Sequence, residues 1–218
     1  MSNNNLCIIP ARGGSKRIPR KNIKLFLGKP IIAYSIEAAL KSGCFKEVMV
    51  STDDEEIARV AREYGAIVPS LRSSKNADDF ATIKDVVDEV IDAYIDRGVK
   101  FDNICCLFAT APLVQVKLLI KGLSILLEKE VDSVRPIVRF SYPIQRAFKF
   151  LENGAVEMIN EEHLKTRTQD LEPAYYDAGM FYWMRFPLGL KGKKNLHLRL
   201  KKMRHKILII LKTGLWQR

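Results

Sequence analysis

Arg12, Lys16, Arg17, Arg20 and Lys21 place five cations within ten residues, with the hydroxyl of Ser15 among them. Gly13 and Gly14 carry no side chain, so a ligand can approach the backbone closely there. Cations and backbone N–H groups gathered in this way suit a polyanion. The bland alternative is a solvated basic loop. Asn22 closes the segment, either as a recognition residue or as a turn or N-cap residue. The run completes neither G-x-x-x-x-G-K-[ST] nor G-x-G-x-x-G, so neither a P-loop ATPase nor a dinucleotide fold is indicated.

The elements around this loop should hold it at a sheet edge. Leu6 to Ile9 is a short apolar run that reads as a buried strand, and ligands of open α/β sheets sit beyond the carboxyl ends of strands. Pro30–Leu40 has helical periodicity with Pro at a plausible first position. Glu47–Ser51 reads as a strand, followed by a helix over Glu55–Tyr64 capped by Thr52-Asp53-Asp54 and stopped at Gly65. Ala66–Pro69 reads as a short strand and Thr82–Asp96 as an amphipathic helix. Asn103–Phe108 is apolar throughout, as in a central strand. Val116–Glu128 reads as a helix, with strands at Ser133–Val138 and Met180–Arg185. The alternation predicts an α/β fold, a parallel sheet with helices on both faces. Between them, Arg139–Pro173 loses periodicity, with a hairpin turn at Gly154, and reads as an inserted lobe.

Composition narrows the function. The net charge is +11, yet residues 188–218 hold ten Lys or Arg and no acid, which leaves 26 bases against 25 acids elsewhere. The body of the chain therefore does not suggest nucleic-acid binding. The four cysteines, Cys7, Cys44, Cys105 and Cys106, lie in or near apolar runs and suit buried thiols in a reducing cytoplasm. There is no run of eighteen apolar residues and Met1–Asn5 is polar, so neither a membrane span nor a signal peptide is expected. His163, His197 and His205 have no metal-binding spacing.

Ile9-Pro10-Ala11-Arg12-Gly13-Gly14-Ser15-Lys16, followed by Pro19-Arg20-Lys21-Asn22, resembles the signature of the cytidylyltransferases that activate nonulosonic acids, the sialic-acid-like nine-carbon sugars. The resemblance implies a three-layer Rossmann-like, mostly parallel sheet of the nucleotide-diphospho-sugar transferase type with a small inserted dimerisation lobe. It implies a core over 1–138, a lobe over 139–173 that reaches a homodimer partner, and a return strand over 174–187. It also implies the reaction, in which CTP and the sugar acid give a CMP-sugar and pyrophosphate with Mg²⁺. Arg12 and Lys21 would act on the phosphates; Ala11, Ser15, Lys16, Asn22, Arg72, Ala81 and Thr82 would bind CTP. Thr82 is equally an N-cap candidate, and Asp53 and Asp54 read better as caps than as metal ligands.

For the sugar, the resemblance offers Thr110, Tyr142, Gln145, Arg146, Tyr176 and Asp177. Arg146 could pair with the carboxylate bidentately, while Tyr176 and Asp177 could bind hydroxyls. Aromatics such as Tyr175, Phe181 and Trp183 are more often core than ligand wall. Phe108, Ala111 and the Asp177-Ala178-Gly179 order depart from sialic acid enzymes and look like the pseudaminic acid branch. Legionaminic acid, N-acetylneuraminic acid and Kdo are the other acceptors considered, with an inactive sugar-nucleotide-binding module as a different class. A nucleic-acid or phosphoinositide binder acting through the tail is a third.

The resemblance runs from Leu6 to Pro187 and then stops. Family members end in an acidic segment that helps hold Mg²⁺, whereas 188–218 has no carboxylate, and a hard cation wants oxygen ligands. The metal ligands are thus unknown. Read one base out of frame, His205–Gln217 can spell Gln-Asp-Ile-Asn-Asn-Phe-Lys-Asp-Trp-Leu-Met-Ala-Lys, which resembles the missing motif. A frameshift near Pro187–Gly192 is one account of the tail. A genuine basic tail for an acidic partner or membrane surface is the other.

Overall fold

The computed structural model describes residues 3–16, 18–77 and 80–200. Strand β1 (Asn5–Pro10) leads through the basic loop to a two-residue hairpin, β2 (Leu25–Phe26) and β3 (Lys29–Pro30), then to α1 (Ile31–Ser42). β4 (Glu47–Ser51), α2 (Glu55–Glu63), α3 (Ile83–Asp96), β5 (Asn103–Leu107), α4 (Val116–Glu128) and β6 (Ser133–Arg139) follow. The inserted lobe carries the hairpin β7 (Phe148–Phe150) and β8 (Val156–Met158), with Gly154 at φ +81° where only glycine sits without strain. The chain returns as β9 (Tyr175–Asp177) and β10 (Phe181–Arg185), and β11 (Asn195–Leu200) ends the described part.

The main sheet has the order β11-β6-β10-β5-β1-β4, with β9 also on β6. β1 pairs in parallel with β4 and β5, and β11 in parallel with β6. β9 and β10 run against their neighbours. The sheet is therefore mostly parallel, as the fold class requires, but not uniformly so. β10 fills the slot between β5 and β6, which is why Phe181 and Trp183 are fully buried. Ala66–Pro69, expected as a strand, contributes a single parallel bridge between Met49 and Ile67. The basic tail does not stand wholly apart from the fold, because β11 adds an edge strand with Leu198 and Leu200 buried.

Strand alternation sorts the core into two layers. Cys7, Ile9, Val48, Val50, Cys105 and Leu107 meet α1, α2 and α4 on one face. Leu6, Ile8, Met49, Ile104 and Cys106 meet α3 on the other. On the first face α4 approaches β10 at Gly122, where a Cβ would come within 2.7 Å of the Trp183 ring. Trp183 also donates its Nε1 proton to the Leu119 carbonyl at 3.0 Å and stacks on Phe45 at 5.0 Å. At the amino end of the sheet, Asn103 Nδ2 donates to Asn5 Oδ1 (2.8 Å) and Arg185 Nη1 to Asn103 Oδ1 (3.1 Å). Buried side-chain amides left unpaired are costly, so this chain of bonds pins the register of three strands.

Candidate active site

The basic loop leaves β1 at the carboxyl edge of the sheet and is tied down at several points. Ala11, fully buried, donates its N–H to the Ser51 carbonyl at 2.9 Å. Gly13 N donates to Asp53 Oδ1 at 2.9 Å, and Ser15 N to the Gly13 carbonyl at 3.0 Å. Asn22 is buried, and its Nδ2 donates to the Arg12 carbonyl at 2.9 Å. Its side-chain amide thus fastens the far end of the loop to its start. Lys21 opens a short 3-10 turn, Lys21–Ile23, right after Arg20 at φ 53°.

Of the loop cations, Arg20 is already spent within the protein. It pairs with Asp54 through Nη1 at 2.5 Å and through Nη2 at 3.1 Å, and it also meets Glu56. This hydrogen bonding, first of all from Arg20, holds the Asp54 carboxyl below its usual range. Asp54 caps α2 by accepting from Ile57 N at 3.0 Å. The cap expected at Thr52-Asp53-Asp54 therefore falls on Asp54, while Asp53 serves the loop. Arg17 lies outside the described residues, as do Asp78 and Asp79.

A groove of about 550 Å³ runs along the loop, walled by Gly13, Gly14, Lys16 and Pro19 on one side and Ala77 and Phe80 on the other. Phe80 is 89% exposed, an aromatic face beside a basic loop. Ala81 follows it, and Thr82 caps α3 in a reciprocal capping box with Asp85, so its hydroxyl is committed to the helix. Arg72 lies partly buried, donating Nε to Ser51 Oγ at 3.0 Å, Nη2 to the Ser51 carbonyl and Nη1 to the Asn76 carbonyl at 3.4 Å. Burial pulls its guanidinium down from the usual value, against the opposing pull of Asp53 and Glu89. Arg72 thereby ties the end of β4 to the segment that carries Phe80.

On the same face, toward β6, stands a second group. Thr110 is partly exposed in the turn after β5. Phe108 packs edge-on to Tyr182 at 5.3 Å, and Arg135 lies over that ring at 5.0 Å. Asp177 accepts from Gly179 N at 2.7 Å and faces Arg135 at 3.8 Å. Burial, then Asp177, pushes the Tyr182 hydroxyl above its usual range. Between the two groups, burial raises the Cys106 thiol to about 12 while Arg72 opposes the rise. Arg135 was missed in the sequence. The available signal was a lone arginine interrupting the apolar Ser133–Val138 strand.

The other acceptor candidates sit outward. Tyr176 packs on Phe140 at 4.8 Å. Tyr142 is exposed, and Gln145 donates Nε2 to the Glu172 carbonyl at 2.9 Å. Arg146 Nη1 donates to the Thr166 carbonyl at 3.5 Å. Gln145 and Arg146 therefore bind their own lobe, while Asp177 stands with the core group. Among the described residues, no three His, Cys, Asp or Glu side chains gather into a metal site. The carboxylates beside the loop, Asp53 and Asp54, are engaged with Gly13 and Arg20. Among the described residues this donor set does not make a magnesium site.

The family described as Cytidylyltransferase matches residues 6–213. The chain belongs to that family. It is 51% identical over 179 residues to the pseudaminic acid cytidylyltransferase of Campylobacter jejuni, covering 82% of this chain and 77% of that one. It is 40% identical to the Helicobacter pylori protein named pseudaminic acid cytidylyltransferase and UDP-2,4-diacetamido-2,4,6-trideoxy-beta-L-altropyranose hydrolase, over 81% of this chain and 34% of that longer one. Against the Legionella pneumophila CMP-N,N'-diacetyllegionaminic acid synthase, identity is 42% over 61% of this chain and 58% of that one. Among solved structures, the CMP:2-keto-3-deoxy-manno-octonic acid synthetase complexed with CTP superposes with a TM-score of 0.65 at 16% identity, covering 97% of both chains. That likeness supports the α/β cytidylyltransferase fold.

Proposed function

We propose that this protein joins CTP to a nonulosonic acid, with pseudaminic acid as the acceptor, and releases CMP-sugar and pyrophosphate. Its half-identity to a pseudaminic acid cytidylyltransferase carries the choice of sugar. Nucleotide transfer needs charge neutralised and an attacking oxygen held in line, with little covalent chemistry from the protein. Arg12, Lys16 and Lys21 supply the charge, from a loop that Asn22 and Asp53 hold against the sheet. Ser15 lines the nucleotide's approach with Ala11 and Asn22 buried beneath it, Arg72 fixes the opposite wall, and Ala81 and Thr82 follow it. The anomeric hydroxyl of the sugar attacks the α-phosphorus, and pyrophosphate leaves into the basic loop. Lys21, with Arg12, stabilises the charge that builds at the reacting centre.

Thr110, Tyr142, Gln145, Arg146, Tyr176 and Asp177 form the acceptor side of the proposal. Magnesium belongs to it as a counter-ion brought on the triphosphate, and chelation is expected to stop turnover. The lobe displays Phe148, Phe150, Val156, Ile159 and Leu164 to solvent, an apolar set that a second copy of the chain would cover. A homodimer is therefore proposed, and Phe150→Asp should make it monomeric in sedimentation. No described helix is long and apolar enough to cross a membrane, and the four cysteines are free, which suits a cytoplasmic enzyme. The deciding experiment is pyrophosphate release with CTP and a panel of nonulosonic acids. Turnover fastest with pseudaminic acid supports the proposal; CTP binding with no turnover on any of them refutes it and favours a binding module.

A further inference from the structure

Arg135 stands on β6 beside Tyr182, as the pairing of Trp183 with Val134 and of Met184 with Ser133 dictates. Its Nη1 comes no nearer than 3.8 Å to Asp177, and its Nε is buried without a hydrogen-bond partner. A buried N–H on a cation is costly to leave unpaired, and a ligand oxygen placed there would recover that cost. Nε and Nη2 lie along one edge of the guanidinium, the edge that grips a carboxylate through two parallel bonds. Asp177 approaches the other nitrogen, so it orients the group without covering this edge.

The surroundings suit an organic anion. Phe108 and Tyr182 make an aromatic wall, with Arg135 laid over the Tyr182 ring. Asp177 is partly satisfied by Gly179 N. α3 leans on β1 and on the Gly189–Lys191 turn, and the Arg135 side chain keeps 33% of its surface exposed. The exposed third of the side chain is where a small ligand would enter, with Nε beneath it. We propose that the Nε–Nη2 edge of Arg135, oriented by Asp177 and stacked on Tyr182, binds the carboxylate of the acceptor sugar. This rests on the CMP-sugar synthesis proposed above. It places carboxylate recognition on the core sheet and not on Arg146, whose guanidinium is tied to the lobe through Thr166.

The test compares Arg135→Gln, Arg135→Lys and Arg146→Gln with the parent chain, measuring pyrophosphate release while CTP and pseudaminic acid are varied separately. Arg135→Gln should raise the KM for the sugar roughly 10- to 100-fold and leave the KM for CTP within about twofold. Arg135→Lys, which keeps the charge but loses the fork, should recover part of the loss. With an acceptor whose carboxylate is replaced by a carboxamide, the parent and Arg135→Gln should differ by less than about threefold. Should Arg135→Gln unfold, Arg135→Lys against the two acceptors makes the same comparison. A rise in the KM for CTP would move Arg135 to the triphosphate, and loss confined to Arg146→Gln would return the role to the lobe. Either result overturns the assignment while leaving the enzyme reading intact. Absence of turnover by the parent chain with every nonulosonic acid overturns that reading, and the assignment with it.

Discussion

Replacing Gly13 by alanine tests the loop architecture directly. The added Cβ would lie 2.6 Å from Asp54 Oδ2, 3.0 Å from its Cβ and 3.1 Å from its Cγ. Asp54 must then swing away from Ile57 N, which loses the α2 cap at a cost of about 1 kcal/mol. The pairing with Arg20 also loosens, worth at most about 1 kcal/mol for a pair with a partly exposed partner. Alanine stiffens the unfolded chain and returns about 0.4–1 kcal/mol. The net loss is about 1 kcal/mol, or roughly 2–4 °C in Tm for a domain of this size. Function should suffer more, because the loop that holds Gly13 N on Asp53 shifts by about an ångström, enough to cost on the order of 100-fold in rate. Calorimetry and kcat/KM for CTP would measure both effects. Asp54→Gly removes the obstructing atoms, and glycine is a tolerable N-cap, so G13A should be much milder in that background. An unchanged CTP kinetic profile in G13A, or the same penalty in the D54G background, would refute the reasoning.

Four further outcomes follow from the described contacts. Asn22→Ala removes the amide bond to the Arg12 carbonyl and should cost about 1–2 kcal/mol by chemical denaturation, with weaker CTP binding by calorimetry. Thr82→Ala removes the α3 capping box and should cost about 1 kcal/mol while CTP affinity moves less than with Asn22→Ala, as the same titration would show. Because Asp54's carboxyl is held low in the folded state, its contribution is full above the ordinary carboxylate value of about 3.9. It fades as pH falls through its lowered folded value, so the stability gap between the parent and Asp54→Asn should narrow below about pH 4. Replacing His205–Gln217 with the acidic out-of-frame reading should raise pyrophosphate release with Mg²⁺; no gain would argue for a genuine basic tail.

The elements nearest the site were the most legible in the sequence. Glu47–Ser51 and Val116–Glu128 were bounded to the residue, since an apolar run after a turn and a long 3.6-residue period leave little choice. The sense of β10 was not legible. Met180–Arg185 looks the same whether it runs with or against β5, and only the return path from the lobe decides it. β9 and β11 were missed because Tyr175–Asp177 is too short for a period and four of the six residues of β11 are exposed. At the site, the cations of the loop could be read but not their commitments. Nothing in the order of residues says that Arg20 belongs to Asp54, or that Asn22 turns inward to the Arg12 carbonyl. Arg135 was overlooked because a buried-strand pattern masks the polar member whose neighbour, Tyr182, is distant along the chain.

The reversed strand also sets an order of assembly. β5 and β6 follow one another with only α4 between them, yet they are separated in the sheet by β10, which emerges only after the lobe. A chain growing from the ribosome at roughly 5–20 residues per second can lay down β1, β4 and β5 together with the nucleotide loop well before that. Until residue 185 has emerged, the inner edge of β5 has no neighbour and β6 cannot dock beside it. The nascent nucleotide half therefore presents an open slot lined by Cys105 and Leu107, a strand edge of the kind that pairs with foreign chains. Synthesis of β10 closes the slot and, in the same stroke, brings Tyr182 beside Phe108 and Arg135. Completion of the sheet and construction of the acceptor wall are one folding event.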